Sequence, residues 1–104
     1  MGELERLTVV VDIDLEDILP GYLRNRQKDL VLVPQALEKK DFDTIRTLGH
    51  RMKGSGAGYG FVNITEIGKK LEEAAKGGKS EEINNLMTEL STYLNRVDVV
   101  YEEV

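Results

Sequence analysis

The sequence predicts an all-α protein, an up-down antiparallel four-helix bundle with a short N-terminal lead-in segment. Apolar residues recur at helical spacing in four segments, and the short breaks between them favour antiparallel neighbours. Only two prolines occur, Pro20 and Pro34. Strand-like sequence is nearly absent outside the β-branched run at residues 7–11. That run is either an extended segment packed along the bundle or a flexible lead-in, and the sequence leaves the order of residues 1–14 open.

Length and composition indicate one globular domain. A chain of 104 residues predicts a single domain over residues 1–104, with its core at about residues 15–100. The hydrophobic fraction of 40% and the charged fraction of 32% are typical of soluble globular proteins. The absence of cysteine excludes disulfides, thiolate chemistry and cysteine-based metal sites.

Charge and hydropathy limit the classes of partner. The net charge of -5 argues against a general nucleic-acid binder, which needs a positive face toward phosphates. No apolar run approaches the ~20 residues of a membrane span. The N-terminal MGELERL is acidic where a signal peptide is basic. We therefore expect a cytoplasmic protein with neither nucleic acid nor membrane as a partner.

The first helix is predicted from about Pro20 to about Lys39. Asp17 or a neighbour is expected to cap it, and proline suits a first turn because its missing N–H is not needed there. Pro34 removes the backbone bond to the carbonyl of Leu30, so we expect a kink or a split at this point. The apolar stripe of this helix consists of Leu19, Leu23, Leu30, Val33 and Leu37.

The run at residues 30–33, Leu-Val-Leu-Val, is wider than one helical face. Part of it is therefore expected at the surface, where it would serve self-association or docking, or under the N-terminal segment, where it would be packed. The sequence leaves both alternatives open. For the chain as a whole we expect a monomer.

The second helix is predicted to begin at Asp41, a good N-cap, and to run into the glycine-rich residues 54–60. Its apolar residues are Phe42, Ile45, Leu48 and Met52.

The third helix has the clearest predicted start. Asn63 followed by Glu66 three residues later forms an Asn variant of the capping box, and Val62 and Ile67 could form a hydrophobic staple around it. The glycine pair at residues 77–78 is expected to end the helix. Its apolar face consists of Ile64, Ile67, Leu71, Ala74 and Ala75.

The fourth helix is predicted to begin at Ser80 as N-cap, with Glu81 and Glu82 placed favourably for the helix dipole. Its apolar residues at helical spacing are Ile83, Leu86, Met87, Leu90, Leu94, Val97 and Tyr101.

His50 is predicted to lie on the solvent face of the second helix. At about 100° per residue, Leu48, Met52 and Tyr59 fall roughly 160–200° from His50 and define the core side. Two cations flank the histidine: Arg46 lies about 40° and Lys53 about 60° to the same side. The helix therefore presents a single histidine to solvent with positive charge on one flank.

The turns after His50 carry almost no side-chain bulk. Gly54 and Ala57 fall within about 40° of His50, one and two turns on. Each interior glycine costs roughly 1 kcal/mol relative to alanine, so packing or function should offset it. Gly49 and Gly56 lie at the edge of the core side, where they would let another helix approach closely. Gly54 faces outward, where a missing side chain leaves room for something large to reach the imidazole.

This setting suits phosphoryl transfer. Histidine as a residue type is partly neutral near pH 7, and a neutral ring nitrogen is a good nucleophile toward a phosphoryl group. Arg46 and Lys53 are candidates to hold the phosphoryl oxygens, with Gly54 and Ala57 beside them. Ser55 falls about 140° from His50, and we expect it to form hydrogen bonds within the bundle instead.

Other chemistries find little support. His50 is the only histidine, which excludes a His-cluster metal site, and a solvent-facing helix offers no pocket for a serine triad. The stretch GSGAGYG at residues 54–60 lacks the spacing of a dinucleotide fingerprint or a P-loop, and no strand precedes it. We expect no metal, no cofactor and no independent catalytic machinery, so that the missing parts come from a partner protein.

Residues 50–55, His-Arg-Met-Lys-Gly-Ser, resemble the His-x-x-Lys-Gly-Ser signature of histidine-containing phosphotransfer (HPt) domains. The flanking residues 41–49 (DFDTIRTLG) and 67–75 (IGKKLEEAA) resemble the family too, and the likeness covers roughly residues 15–100. The chain departs from the family at Gly56, where a second serine is often found, and this makes the segment richer in glycine.

The resemblance implies a four-helix bundle that carries phosphate on a histidine nitrogen between receiver-domain aspartates of a multistep two-component phosphorelay. It implies that His50 is the phosphoacceptor, that Lys53 is the nearby cation and that Gly54 is the gap that admits the receiver. The Mg²⁺ ion is expected on the receiver. The expected partners are receiver domains of response regulators and of hybrid histidine kinases. We expect a free-standing shuttle or a piece of a larger protein.

A second class of function stays open at this point. The chain could be a binding module that docks a receiver or a histidine kinase without relaying phosphate. His50 favours the phosphocarrier, because an adaptor does not need it. An enzyme with its own small-molecule substrate is the least favoured class.

Overall fold

Four helices account for most of the chain, and two short strands join its ends. The computed structural model describes residues 5–103. The elements in chain order are β1 (Leu7–Asp12), a 3-10 turn (Ile13–Leu15), α1 (Leu19–Glu38), α2 (Phe42–Ser55), a second 3-10 turn (Ala57–Tyr59), α3 (Val62–Lys76), α4 (Ser80–Arg96) and β2 (Val97–Glu102). The predicted four-helix bundle is confirmed.

The helices pack in a ring around one core. α2 lies along α3, which packs against α4, and α1 contacts both α2 and α4. α4 therefore lies diagonally across the bundle from α2. The largest fully buried side chains come from all four helices and from the loop before α3: Leu19, Val33, Ile45, Met52, Phe61, Ile64, Leu71, Ile83 and Leu90.

α2 begins as predicted. Asp41 is its N-cap: one carboxylate oxygen accepts from the backbone N–H of Thr44 at 3.2 Å, and the other accepts from the Thr44 hydroxyl at 2.6 Å. These hydrogen bonds lower the pKa of Asp41, because they favour the charged form.

α1 differs from the prediction at its start. Ile18, not Asp17, occupies the N-cap position, and no side chain caps the helix. Pro20 stands in the first turn, where its missing N–H leaves one fewer group to satisfy. The helix continues through Pro34, so the predicted split does not occur. In the apolar run at residues 30–33, Val31 and Leu32 are exposed and are not covered by the N-terminal segment.

The predicted N-caps of the last two helices are wrong: the observed N-cap lies two residues earlier in α3 and one residue earlier in α4. α3 starts at Val62 with Phe61 as N-cap, so Asn63 forms no capping hydrogen bond and Val62, which is exposed, is not the outer residue of a staple. Phe61 is fully buried, and this burial decides where the helix begins. α4 starts at Ser80 itself, with Lys79 as N-cap.

The prediction that α4 continues through Val97 and Tyr101 is also wrong. The helix ends at Arg96, and Val97–Glu102 forms a strand whose alternate residues face the helices. Val97 and Tyr101 fit both the helical and the strand period, since residues four apart lie on one face in either structure. The β-branched residues between them favour the strand, and β1 supplies a partner.

The two strands form a parallel pair in register from Leu7↔Val97 to Asp12↔Glu102. The N-terminal run is thus extended and packed along the bundle, and Val11 is buried. Arg6 strengthens the junction: its guanidinium donates to both carboxylate oxygens of Asp98, at 3.0 and 2.6 Å. Within residues 5–103, no helix is both long and apolar enough to cross a membrane.

Candidate functional site

His50 projects from the outer face of α2, as the helical wheel predicts. Its side chain is 68% exposed, whereas Ile45 and Met52 on the opposite side of the helix are fully buried. The burial of those two residues fixes the rotation of α2 about its own axis. The histidine is held in solvent because the helix has its apolar stripe on the other side.

Glycines bring α2 and α3 into backbone contact beside His50. A Cβ atom on Gly49 would lie 2.7 Å from the backbone nitrogen of Glu72 and 2.9 Å from the carbonyl oxygen of Gly68. A Cβ atom on Gly68 would lie 2.6 Å from the Met52 Cβ. On Gly56 it would meet backbone atoms of α3 and its N-cap at 2.6 and 2.7 Å. The prediction that Gly49 and Gly56 allow a close approach is confirmed, and Gly68 is their counterpart on α3.

This close approach places Glu72 against the imidazole. The Glu72 Oε2 atom lies 3.0 Å from the His50 Nδ1 atom, and its Oε1 atom lies 2.7 Å from the Lys53 Nζ atom. The Glu72 side chain is only 11% exposed. Its pKa is lowered, first by the hydrogen bond from Lys53 and then by that from His50, against the opposing effect of burial.

Glu72 is not among the site residues predicted from the sequence, and no carboxylate was expected beside His50. A signal for it exists in the sequence. Gly68 and Glu72 stand four residues apart and so share a helix face. A glycine on that face indicates the side that touches the neighbouring helix.

The carboxylate selects the tautomer of the neutral imidazole. An ionised carboxylate can only accept hydrogen bonds, so the Nδ1 atom of His50 must carry the proton that it shares with Glu72. The Nε2 atom then has a free lone pair on the exposed side of the ring. The arrangement can present a nucleophilic nitrogen to a group arriving from solvent.

Lys53 and Arg46 differ in their surroundings. The Lys53 ammonium is bound to Glu72, and its side chain is 39% exposed. Arg46 is exposed and lines, together with Thr47, the surface hollow that contains His50 and Glu72. The structure therefore brings both predicted cations to the site but gives Lys53 a carboxylate partner.

The surface beyond His50 is open. A Cβ atom on Gly54 or on Gly58 would meet nothing within 4 Å, and Ala57 is exposed. Thr65 holds this end of α2 in place, because its hydroxyl accepts from the Ala57 N–H at 2.8 Å and donates to the Lys53 carbonyl at 3.2 Å. Bulky groups can thus approach the imidazole from the Gly54 side.

Ser55 forms hydrogen bonds within the bundle, as predicted. Its hydroxyl donates to the Arg51 carbonyl at 2.8 Å, so the Tyr22 hydroxyl, 2.9 Å away, is the donor of their mutual bond. The Tyr22 ring stacks on that of Tyr59, with 4.3 Å between centroids. This contact ties α1 to the turn that follows α2.

Comparison with known proteins identifies a family. The sequence model of a family described as "Hpt domain" matches residues 17–99. Neither the curated proteins nor the solved structures give a significant match.

Proposed function

Because this chain belongs to the Hpt domain family, we propose that it relays phosphoryl groups between receiver-domain aspartates through a phosphorylated His50. Hpt domains carry out histidine phosphotransfer in two-component signalling. They are phosphocarrier modules rather than classical enzymes, and the family typically interacts with receiver domains and kinases.

The observation that carries the proposal is the state of the imidazole. The Nδ1 atom of His50 is engaged by Glu72 at 3.0 Å, and the ring is otherwise largely in solvent. In the neutral ring with the proton on Nδ1, the Nε2 atom keeps its lone pair, and an added Cβ atom on Gly54, one turn further along α2, would meet nothing within 4 Å. An exposed imidazole with a fixed tautomer supports the proposal, because phosphoryl transfer depends chiefly on the position of the nucleophile and on charge stabilisation.

The proposed transfer step forms one bond and breaks one. The Nε2 lone pair forms the N–P bond, and the bond between phosphorus and the donor's carboxylate oxygen breaks, which leaves the donor aspartate ionised. The proton stays on Nδ1. The positive charge that develops on the ring is stabilised by the Glu72 carboxylate 3.0 Å away. Transfer to the acceptor aspartate is the reverse of these changes.

The neighbouring residues supply charge and room. In this proposal the Arg46 guanidinium contacts phosphoryl oxygens. The Lys53 ammonium offsets part of the negative charge of Glu72 and remains near the phosphoryl group. Gly54 and Ala57 let the receiver surface reach the ring.

We assign the Mg²⁺ ion of the reaction to the receiver domain. Within residues 5–103, no three His, Asp or Glu side chains lie together as a metal site. The one carboxylate at His50 is already held by Lys53 and the imidazole. This chain's contribution is the nucleophile and its orientation.

The test is incubation of the chain with a phosphorylated receiver domain and Mg²⁺. We expect acid-labile phosphate on the wild-type chain and none on His50→Gln, because no second histidine can replace His50. Lys70→Gln, on the α4 side of α3, is the matched control and should accept phosphate normally. Phosphate that persists in His50→Gln contradicts the proposal. A wild-type chain that binds receivers without ever gaining phosphate points to the adaptor instead.

A further inference from the structure

Charge is divided unevenly along the chain. Residues 21–79 carry twelve Lys and Arg against seven Asp and Glu, a net charge of +5. Residues 1–20 and residues 80–104 each carry one Arg against six Asp and Glu, a net charge of -5 apiece. The overall charge of -5 therefore conceals a basic middle and two acidic ends.

The fold collects part of this basic middle beside His50. Arg46 and Lys76 line the same hollow between the start of α2 and the end of α3, and Arg46 also lines the adjoining hollow that holds His50. Helical geometry puts Lys69 and Lys76 on the Glu72 side of α3. Around the helix axis they lie about 60° and 40° from Glu72, in the direction that leads away from α2. The three exposed cations that form this basic face are Arg46, Lys69 and Lys76.

The positive charge of the basic face is only partly offset by nearby carboxylates. Across residues 5–103, none of its three members has an ion-pair partner within 4.0 Å. The Glu72 carboxylate is paired with the Lys53 ammonium and hydrogen-bonded to His50. Asp43 lines the hollow at the start of α2, and the exposed Glu73 follows Lys69 by one helical turn. With Lys53 and Glu72 included, the cations outnumber the carboxylates, so the face retains a small excess of positive charge.

Most of the other acidic groups lie elsewhere on the molecule. Glu81, Glu82 and Glu89 belong to α4, across the bundle from α2. The carboxylates of the paired strands, such as Asp12 and Glu102, lie at the end of the bundle where β1 meets Gly60. The molecule is therefore electrically polar, and His50 lies on its basic side.

We propose that the basic face is the docking surface for an acidic protein surface, and that this charge separation orients the encounter so that the partner arrives at His50. The inference rests on the proposed function. It adds the sign of the charge on the partner's contact surface and electrostatic attraction as the cause of fast association. Charged surfaces of this kind raise association rates by about 10- to 1000-fold and are screened by salt.

A protein partner is favoured over nucleic acid. A nucleic acid is a long polyanion that would run beyond three cations and meet the acidic strands or α4. The acidic surface of a folded protein is limited in extent and fits a basic face with acidic surroundings.

The test uses two neighbouring lysines that α3 directs to different sides. Lys69 belongs to the basic face, whereas Lys70 lines a groove with Glu89 and Tyr93 of α4. Lys69→Glu and Lys70→Glu make the same change of charge in adjacent exposed positions of one helix. The full chain is mixed with a receiver domain that phosphorylates the wild type, and kcat/KM and kcat for phosphoryl transfer are measured from about 0.01 M to about 0.5 M NaCl.

We expect Lys69→Glu to lower kcat/KM by about 3- to 10-fold at low salt, with kcat unchanged, and the loss to shrink as salt rises. Lys70→Glu should change kcat/KM by less than about twofold. Equal effects of the two variants, a wild-type rate independent of salt, or a Lys69-dependent affinity for duplex DNA in place of the receiver would overturn the inference. Each of these leaves transfer to His50 intact, whereas a wild-type chain that gains no phosphate overturns the proposed function itself.

Discussion

At the scale of single residues, the Glu72 carboxylate connects His50 on α2 with Lys53 one turn further on. The carboxylate accepts the Nδ1 proton at 3.0 Å and accepts from Lys53 at 2.7 Å through its other oxygen. It touches the ring on the side away from solvent, so it acts through His50 and is a positioning residue. Lys53 limits how much negative charge the ring experiences, because it shares the same carboxylate.

Glu72→Gln is expected to slow phosphoryl transfer to His50 by about tenfold, because the neutral amide stabilises the charged ring less well. The same variant should shift the imidazole of the free protein away from the Nδ1–H form, which ¹⁵N NMR of the ring detects. Glu73→Gln, the exposed neighbour, is the control and should change neither quantity. A slower transfer with an unchanged tautomer would show that Glu72 does not act by orienting the ring.

Protonation of Glu72 at low pH should lower the stability of the fold. Because its pKa in the folded protein is lowered, ionised Glu72 stabilises the fold above the unfolded-state value near 4.5. This contribution is lost as pH falls through the lower folded-state value. Glu72→Gln should remove that part of the acid-side decline in the free energy of unfolding, which urea unfolding at a series of pH values measures.

At the scale of elements, the contact between α2 and α3 builds the site. Gly49 and Gly68 let the two backbones touch, and only at that separation does Glu72 reach His50. Gly54 stands on the same helix as Gly49 but on the open face, where an added Cβ atom would have nothing within 4 Å. Two glycines of α2 thus have opposite surroundings: Gly49 packs against α3 and Gly54 is open to solvent.

Gly68→Ala is expected to lower the free energy of unfolding by about 1–3 kcal/mol, because the new methyl group meets backbone and the Met52 Cβ with no room to relax. Gly54→Ala, the matched change on the open face, should leave stability unchanged or raise it by up to about 1 kcal/mol through helix propensity. Urea unfolding followed by circular dichroism measures both. Equal losses in the two variants would contradict the close contact of the helices.

At the scale of the whole molecule, the parallel strands close the chain on itself. β1 and β2 bring residues 7–12 against residues 97–102, and Arg6 and Arg96 add bonds across the junction. One face of this pair packs on the helices through Val9, Val11 and Val99, while Val10 and Val100 are exposed. The strands therefore extend the core of the bundle and are not an attached tail.

Val99→Asp is expected to lower the free energy of unfolding by about 1–3 kcal/mol, because it places a charge among apolar side chains. Val100→Asp, one residue further on the outer face, should cost less than about 1 kcal/mol. Thermal and urea unfolding of the two variants make the comparison. If Val100→Asp is the more damaging of the two, the assignment of Val99 to the inner face of the strand is wrong.

The sequence by itself determined the helical architecture, the rotation of α2 and the exposure of His50. These follow from hydrophobic period, which acts within about ten residues and leaves Ile45 and Met52 no alternative to the core. It also indicated that Gly54 faces solvent and that the Ser55 hydroxyl forms hydrogen bonds within the bundle. These are local properties of one helix.

Only the tertiary structure decided the partners of His50 and the ends of the chain. Glu72 lies 22 residues from His50, and its position depends on how closely two backbones approach. The strands depend on a pairing across some 90 residues, which overrides the helical spacing of Val97 and Tyr101. Both are long-range contacts, and no local pattern specifies which distant group will satisfy a given side chain or backbone. The exposed histidine could be predicted from the sequence, whereas the carboxylate in contact with it depends on the fold.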